Sequence, residues 1–280
     1  MVAALAAFIL GIAGLLLGAR SDTREGLVSV IHVASYCAGV YLAWKIADEH
    51  RNSPPVRLAW ILIAGSSAAS VFRHTAFLLH GFHYLDWLSP ASYYLLTQIP
   101  MALAVLLFLA GLITMWSAFS VLGLGFHARR MDIGLLMSIV MLTPLVLLSR
   151  GIQNPTNLIG PAVILRYAGP LLLPACAGIA VLLHRIAYQM RGGDMARALR
   201  CLILYPVIRL VSALLALNPS LRSVDILFYT QYSMMQAVPI IFTLGLAYRW
   251  RITVRASKAF EQQEFSLAEP IPISGSPILL

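Results

Sequence analysis

Acidic residues are scarce in this chain and absent from the interior of its apolar segments. Only 11 of the 280 residues are Asp or Glu, and each lies in a predicted loop, at the end of an apolar run or in the C-terminal tail. A transporter coupled to protons or sodium usually carries a carboxylate near the membrane midplane. The sequence therefore argues against an ion-coupled transporter.

Lysine and cysteine are also rare. The only lysines are Lys45 and Lys258, so no late apolar segment carries the amine that a retinal Schiff base needs. The three cysteines all fall within apolar segments and predict no disulfide framework. These absences exclude a retinal protein and leave the compartment open.

Apolar sequence is what the chain has in abundance. Hydrophobic residues make up 60% of it, charged residues 11%, and the mean hydropathy is +0.82. Crossing about 30 Å of hydrocarbon takes about 20 mostly apolar residues as a helix. We therefore predict an all-α fold, a polytopic membrane helix bundle of seven to eight transmembrane helices. The candidate spans are 2–18, 26–46, 56–79, 93–122, 132–149, 162–184, 199–217 and 227–248. Segment 2–18 is either a retained helix or a signal-like segment, which leaves the number at seven or eight.

The net charge of +9 lies mainly at the ends of the apolar runs. One set of alternate loops, which includes the tail, carries 13 Lys and Arg against 5 in the other set. The positive-inside rule then predicts an integral, multi-pass protein with a cytosolic C-terminus. Residues 1–255 form the predicted transmembrane domain and 256–280 a disordered cytosolic tail. The expected partners are the lipid bilayer and a hydrophobic small molecule, with no nucleic acid.

Two arginines lie inside predicted spans, and each needs a physical reason to be there. A charged side chain at the bilayer centre costs from about 3 to over 10 kcal/mol unless it faces protein, water or a ligand. Arg209 is midway along its span, where it either pairs with carbonyls freed by Pro206 or binds a ligand. Arg73 and His74 lie in the outer half of theirs, with an outer-leaflet anchor as the alternative for Arg73.

Several polar residues are predicted to share a pocket that opens from the outer leaflet. Asp86 and Asp225 are the candidate catalytic acids, because a carboxyl group protonated by burial can donate a proton to a substrate. Helix capping and ion pairing are the alternative roles for both aspartates. The candidate substrate-binding residues are Arg73, His74, Arg209, Tyr229 and Tyr232.

Two histidine patterns suggest cofactor or metal binding as alternative functions. His32 and His74 fall at similar depth in neighbouring spans, so the pair is a candidate ligand set for a b-type haem. His80, His83 and Asp86 have a spacing compatible with metal binding, but an interfacial aromatic belt with polar tips is favoured, and no metal is predicted. The sequence does not identify a cofactor.

The stretch "YPVIRLVSALLALNPSLRSVDILFYTQYSMMQAVP" in the C-terminal third resembles the last two spans of the fungal lipid-translocating exporter (RTA-like) family. An Arg-bearing helix, a short outer loop and a Tyr-containing final helix carry the resemblance, which implies lipid transport. In size, span number and paired acids, the chain is also similar to the small integral-membrane terpene cyclases of fungal secondary metabolism. That similarity implies protonation of an epoxide or alkene on a farnesyl-type chain, with Asp86 and Asp225 as the acids.

These observations predict an integral membrane enzyme of the cyclase or isomerase type. Its substrate is a hydrophobic isoprenoid or lipid-like small molecule held in an intramembrane pocket. Proton-initiated, terpene-cyclase-like cyclisation in secondary metabolism is the expected chemistry. The alternatives are an uncoupled lipid translocator or exporter, and a b-haem-binding membrane protein.

Overall fold

All regular structure in the described part of the chain is helical. A computed structural model describes residues 21–121, 134, 137–139, 141, 161–189, 194–215 and 238–256. The predicted all-α class is confirmed for these residues. Segment 2–18, most of segment 132–149 and the tail beyond 256 lie outside them.

Six helices have defined ranges within the described residues. They are α1 (Ser21–Glu49), α2 (Pro54–Gly81), α3 (Pro90–Val121), α4 (Pro161–Gln189), α5 (Asp194–Leu215) and α6 (238–256). The helices α2, α3 and α4 each begin at a proline, a residue favoured there because the first helical N–H has no intrahelical partner and the fixed φ suits a helix.

Three of the described helices are long and apolar enough to cross a membrane. Their apolar parts are Ser29–Glu49, Pro54–Gly81 and Pro90–Ser120, with 21, 28 and 31 residues. They overlap the predicted spans 26–46, 56–79 and 93–122. Because about 20 residues suffice to span the hydrocarbon, length and composition identify a membrane protein.

Small residues bring neighbouring helices close together. A Cβ added at Gly111 of α3 would lie 3.0 Å from the Ile63 Cγ1 atom of α2. One added at Gly245 of α6 would lie 2.7 Å from the Cys201 Cβ atom of α5. Small residues at such crossings let helix backbones approach closely, which is a common way to pack membrane helices.

The helix α2 ends in a Schellman motif that carries histidine where glycine is usual. The Tyr84 N–H donates to the Leu79 carbonyl and the His83 N–H donates to the His80 carbonyl, both at 2.9 Å. His83 has a φ of 64°, in the left-handed region. The turn directs the chain into the α2–α3 loop, which carries Asp86.

Candidate functional site

A group of polar side chains, buried except for the half-buried Arg73, gathers around the contacts of α1 with α2 and α5. The helices α1 and α2 pack against each other, and Tyr205 of α5 contacts Tyr36 of α1. We call this group the interior cluster; its members are His32, Tyr36, Arg73, His74, Tyr205 and Arg209.

Helical spacing explains why these residues meet. His32 and Tyr36 are four residues apart on α1, and Tyr205 and Arg209 are four residues apart on α5. Residues at this spacing lie on the same helix face, one above the other. Each of the two helices therefore presents a pair of polar groups to one side.

The two histidines of the cluster are in direct contact. The His32 Nδ1 and His74 Nδ1 atoms are 3.2 Å apart, and the ring centroids are 4.3 Å apart. A neutral imidazole has one N–H donor and one lone-pair acceptor, so at this contact one ring donates to the other. The pair is built to hold a single proton between its two facing nitrogens.

This contact bears on the haem alternative. Two histidines that ligate one haem must stand on opposite faces of the macrocycle, with iron between their nitrogens. His32 and His74 touch each other directly, so the residues present do not fit a haem between them.

A second set of contacts links the histidines to Arg209. The Arg209 Nη1 atom donates to the Tyr205 hydroxyl at 3.2 Å, and the Tyr205 and Tyr36 hydroxyl oxygens are 3.5 Å apart. The Tyr36 ring stacks on the His74 ring with 5.6 Å between centroids. Because the Tyr205 oxygen accepts from Arg209, its own O–H is free to point toward Tyr36. The contacts therefore run from α5 through α1 to α2.

Positive charge dominates the cluster. Arg209 is 9% exposed, and its charge and that of Arg73 repel each other. The Arg73 guanidinium carbon lies 4.9 Å from the centroid of the Phe77 ring, and the Arg73 Nε atom is buried without a hydrogen bond. Within the described ranges the ion pairs are Arg51 with Asp48 and His83 with Asp86, so neither interior arginine faces a carboxylate there.

Aromatic rings surround the charged groups. The Tyr205 ring lies 4.9 Å from the Phe108 ring and 5.0 Å from the Phe242 ring, measured between centroids. Aromatic faces attract cations, by about 0.5–2 kcal/mol each. This offsets only part of the desolvation cost of two guanidinium groups. The arrangement favours an anionic group next to an apolar body.

A cavity of about 440 Å³ adjoins the cluster near the α2–α3 loop. Phe77 and Tyr93 line it, and their rings meet edge to face at 6.3 Å. Phe77 is also the ring beneath Arg73. A ligand in this cavity would therefore be separated from the Arg73 guanidinium by one aromatic ring.

Asp86 lies at the wall of this cavity, apart from the interior cluster. Its side chain is 54% exposed and pairs with the His83 Nδ1 atom at 2.9 Å. It therefore lacks the buried setting on which the argument for a protonated acid depended. The His80 ring lies against the Tyr93 ring, tilted by 48° with 4.2 Å between centroids, rather than joining this pair. No group of three or more His, Cys, Asp or Glu side chains in the described part of the chain is placed to hold a metal ion.

The structure thus brings together three of the predicted site residues: Arg73, His74 and Arg209. Asp225, Tyr229 and Tyr232 lie outside the described residues, and their roles stay predictions. Sequence reasoning missed Tyr36 and Tyr205 as site residues. The sequence did carry a signal for them. Tyr36 is four residues from His32 and Tyr205 is four residues from Arg209, so each tyrosine shares a helix face with a polar residue already identified.

Comparisons with protein-family models, with curated proteins and with solved structures found no match. The resemblances to lipid-translocating exporters and to membrane terpene cyclases therefore stay predictions. Function has to be argued from the chemistry of the site itself.

Proposed function

We propose that this chain is an integral membrane enzyme that holds an isoprenoid or lipid-like molecule by an anionic headgroup. The observation that carries the proposal is the pair of arginines, Arg73 and Arg209, in one interior cluster with no described carboxylate beside them. A buried charge is normally paired. A carboxylate or phosphate on the ligand would supply the missing partner through charge-assisted hydrogen bonds.

The apolar surroundings indicate what the rest of the ligand is. Rings from α2, α3 and α6 face the cluster, and the 440 Å³ cavity lies within the range of about 300–1,000 Å³ that is usual for small-molecule sites. A prenyl or acyl chain fits such walls, and its headgroup would have to pass the Phe77 ring to reach Arg73. We extend the same proposal to the whole chain, which would have seven to eight membrane helices and a cytosolic C-terminus. The cavity would then lie on the non-cytosolic side of the membrane.

The charges favour one kind of chemistry over another. A carbocation formed beside two guanidinium groups would be repelled, whereas an enolate or a departing phosphate would be stabilised. The cluster therefore supports proton-transfer isomerisation better than proton-initiated cyclisation at the same place. In that reaction the His32–His74 pair accepts a proton from one carbon and returns it to another, while the arginines hold the negative charge.

Headgroup preference is the first test. Purified full-length protein should bind farnesoic acid at least about tenfold more tightly than farnesol, which has the same chain and no charge; tenfold corresponds to about 1.4 kcal/mol. Arg209→Gln should abolish the preference. The matched control is Arg57→Gln, which removes an exposed arginine. Equal affinity for the acid and the alcohol would remove the basis of the proposal.

Proton transfer is the second test. Farnesoic acid incubated with the protein in D2O should acquire deuterium on carbon, and His74→Gln should prevent this without abolishing binding. Mass spectrometry of the recovered acid measures the incorporation. Binding without deuterium uptake, together with movement of labelled lipid between the leaflets of reconstituted vesicles, would favour the lipid translocator instead.

A further inference from the structure

A second cavity lies at the other end of α2 and is unrelated to the interior cluster. It has a volume of about 250 Å³ and includes Trp60, whereas the cavity described above includes Phe77. Seventeen residues separate the two on one helix, or about 26 Å at 1.5 Å per residue. We call it the inner pocket.

The inner pocket is apolar inside. Residues of α2, α3 and α5 form most of its wall: Val56, Trp60, Met115, Phe119, Leu199 and Leu202. Its volume falls below the range of about 300–1,000 Å³ usual for whole small-molecule ligands. A single flexible hydrocarbon chain, entering from the bilayer at one end, suits such a space.

The rim of the inner pocket is cationic. The Arg249 Nη2 atom donates to the His50 Nε2 atom at 2.9 Å, and the His50 Nδ1 atom donates to the Ile46 carbonyl at 2.8 Å. His50 therefore accepts as a neutral ring, because only the neutral form has a lone pair on one nitrogen. This hydrogen bond orients the Arg249 guanidinium.

More charged residues surround this rim: the acidic Asp48 and Glu49 at the end of α1, and several exposed arginines. Arg57 at the start of α2 and Arg251 and Arg255 at the end of α6 are exposed. The contact between Arg249 and His50 places the end of α6 beside the α1–α2 turn, so these arginines lie at the same end of the bundle. Each basic residue near an anionic membrane surface contributes about 1 kcal/mol of attraction.

We propose that the inner pocket binds an anionic phospholipid, with an acyl chain against Trp60 and the headgroup phosphate at Arg249. The apolar interior and the cationic rim complement the two parts of such a lipid. The site adds a bound structural lipid to the protein and does not depend on the proposed enzymatic function.

Fluorescence quenching by brominated lipid tests the proposal. Full-length protein is placed in nanodiscs that mix phosphatidylglycerol and phosphatidylcholine equally, with bromine on the acyl chains of one lipid at a time. The Trp60 signal is the difference from Trp60→Phe. Brominated phosphatidylglycerol should occupy the site about fivefold more than brominated phosphatidylcholine. Arg249→Gln should abolish the preference, and the matched control Arg249→Lys, which keeps the positive charge, should keep it.

A cavity-filling variant keeps the test decisive even if Arg249→Gln fails to fold. Ala118 is buried and lines the inner pocket, so Ala118→Leu should reduce quenching of Trp60 by both lipids. Equal quenching by the two lipids, or quenching unchanged by Ala118→Leu, would overturn the proposal. Quenching that arises only after removal of residues 257–280 would identify the chain's own tail as the occupant and overturn it as well.

Discussion

Replacing Arg73 with an apolar residue should make the ligand-free protein more stable. The Arg73 Nε atom is buried without a hydrogen bond, and the charge of Arg209 repels the guanidinium. If Arg73 serves a ligand, the empty protein bears the cost of burying its charge. If Arg73 instead holds the helices together, its removal should weaken the fold. The sign of the stability change therefore distinguishes the two roles.

The magnitude follows from opposing contributions in Arg73→Met. Replacing buried charged groups by apolar ones of similar volume is often neutral or stabilising by about 1–4 kcal/mol. The contact of Arg73 with the Phe77 ring, 4.9 Å from the guanidinium carbon, is lost, which costs about 0.5–2 kcal/mol. We expect a net gain of about 1–2 kcal/mol in the free energy of unfolding.

Unfolding by sodium dodecyl sulfate in mixed micelles, followed by circular dichroism, measures this free energy. Arg57→Met, on the exposed side of the same helix, should change it by less than about 0.5 kcal/mol. Arg73→Met should also lose the preference for farnesoic acid over farnesol. A destabilisation of more than about 1 kcal/mol, or an intact preference, would refute the reasoning.

Three further outcomes are expected. Gly245→Ala should destabilise the protein by about 1–3 kcal/mol in the same assay, because its Cβ would lie 2.7 Å from a side-chain carbon of α5; Gly65→Ala, which meets only a flexible leucine methyl at 3.2 Å, should cost less. His83→Gly should not destabilise and should gain up to about 1 kcal/mol, because glycine adopts a φ of 64° without strain and the ion pair it removes is exposed; a clear loss would contradict this. Burial, followed by the charge of Arg249, lowers the pKa of His50 in the folded protein, so the unfolded chain binds the proton more readily. The free energy of unfolding should then fall as the pH drops below about 6.5 and stay level above it; His50→Gln should flatten this dependence, as unfolding at several pH values would show.

The membrane helices were predictable because their signal is local. A span needs only length and apolar composition, and the predicted segments 26–46, 56–79 and 93–122 match three candidate spans of the structure. Their boundaries shift by a few residues because the helices continue past the apolar run to Pro54 and Pro90 at their starts. The Schellman turn at His83 was not predicted, since histidine is a rare choice for a left-handed residue.

The candidate site was predictable only in part. A charge inside an apolar run draws attention in any sequence, and Arg73 and Arg209 were found in this way. Tyr36 and Tyr205 were not, because tyrosine is common in membrane helices and carries no comparable penalty there. Asp86 was assigned to the pocket by its side of the membrane, but the turn after α2 leaves it exposed beside His83.

The sequence by itself determined that the chain is helical and apolar enough for a membrane, and that two guanidinium groups must be accommodated within it. Tertiary structure alone decided which groups meet these arginines. The contact between His32 and His74 joins residues 42 positions apart, and that between Tyr36 and Tyr205 joins residues 169 apart. The physical reason is that hydropathy measures transfer from water to lipid, residue by residue, whereas side-chain contacts depend on how each helix is rotated and displaced against its neighbours.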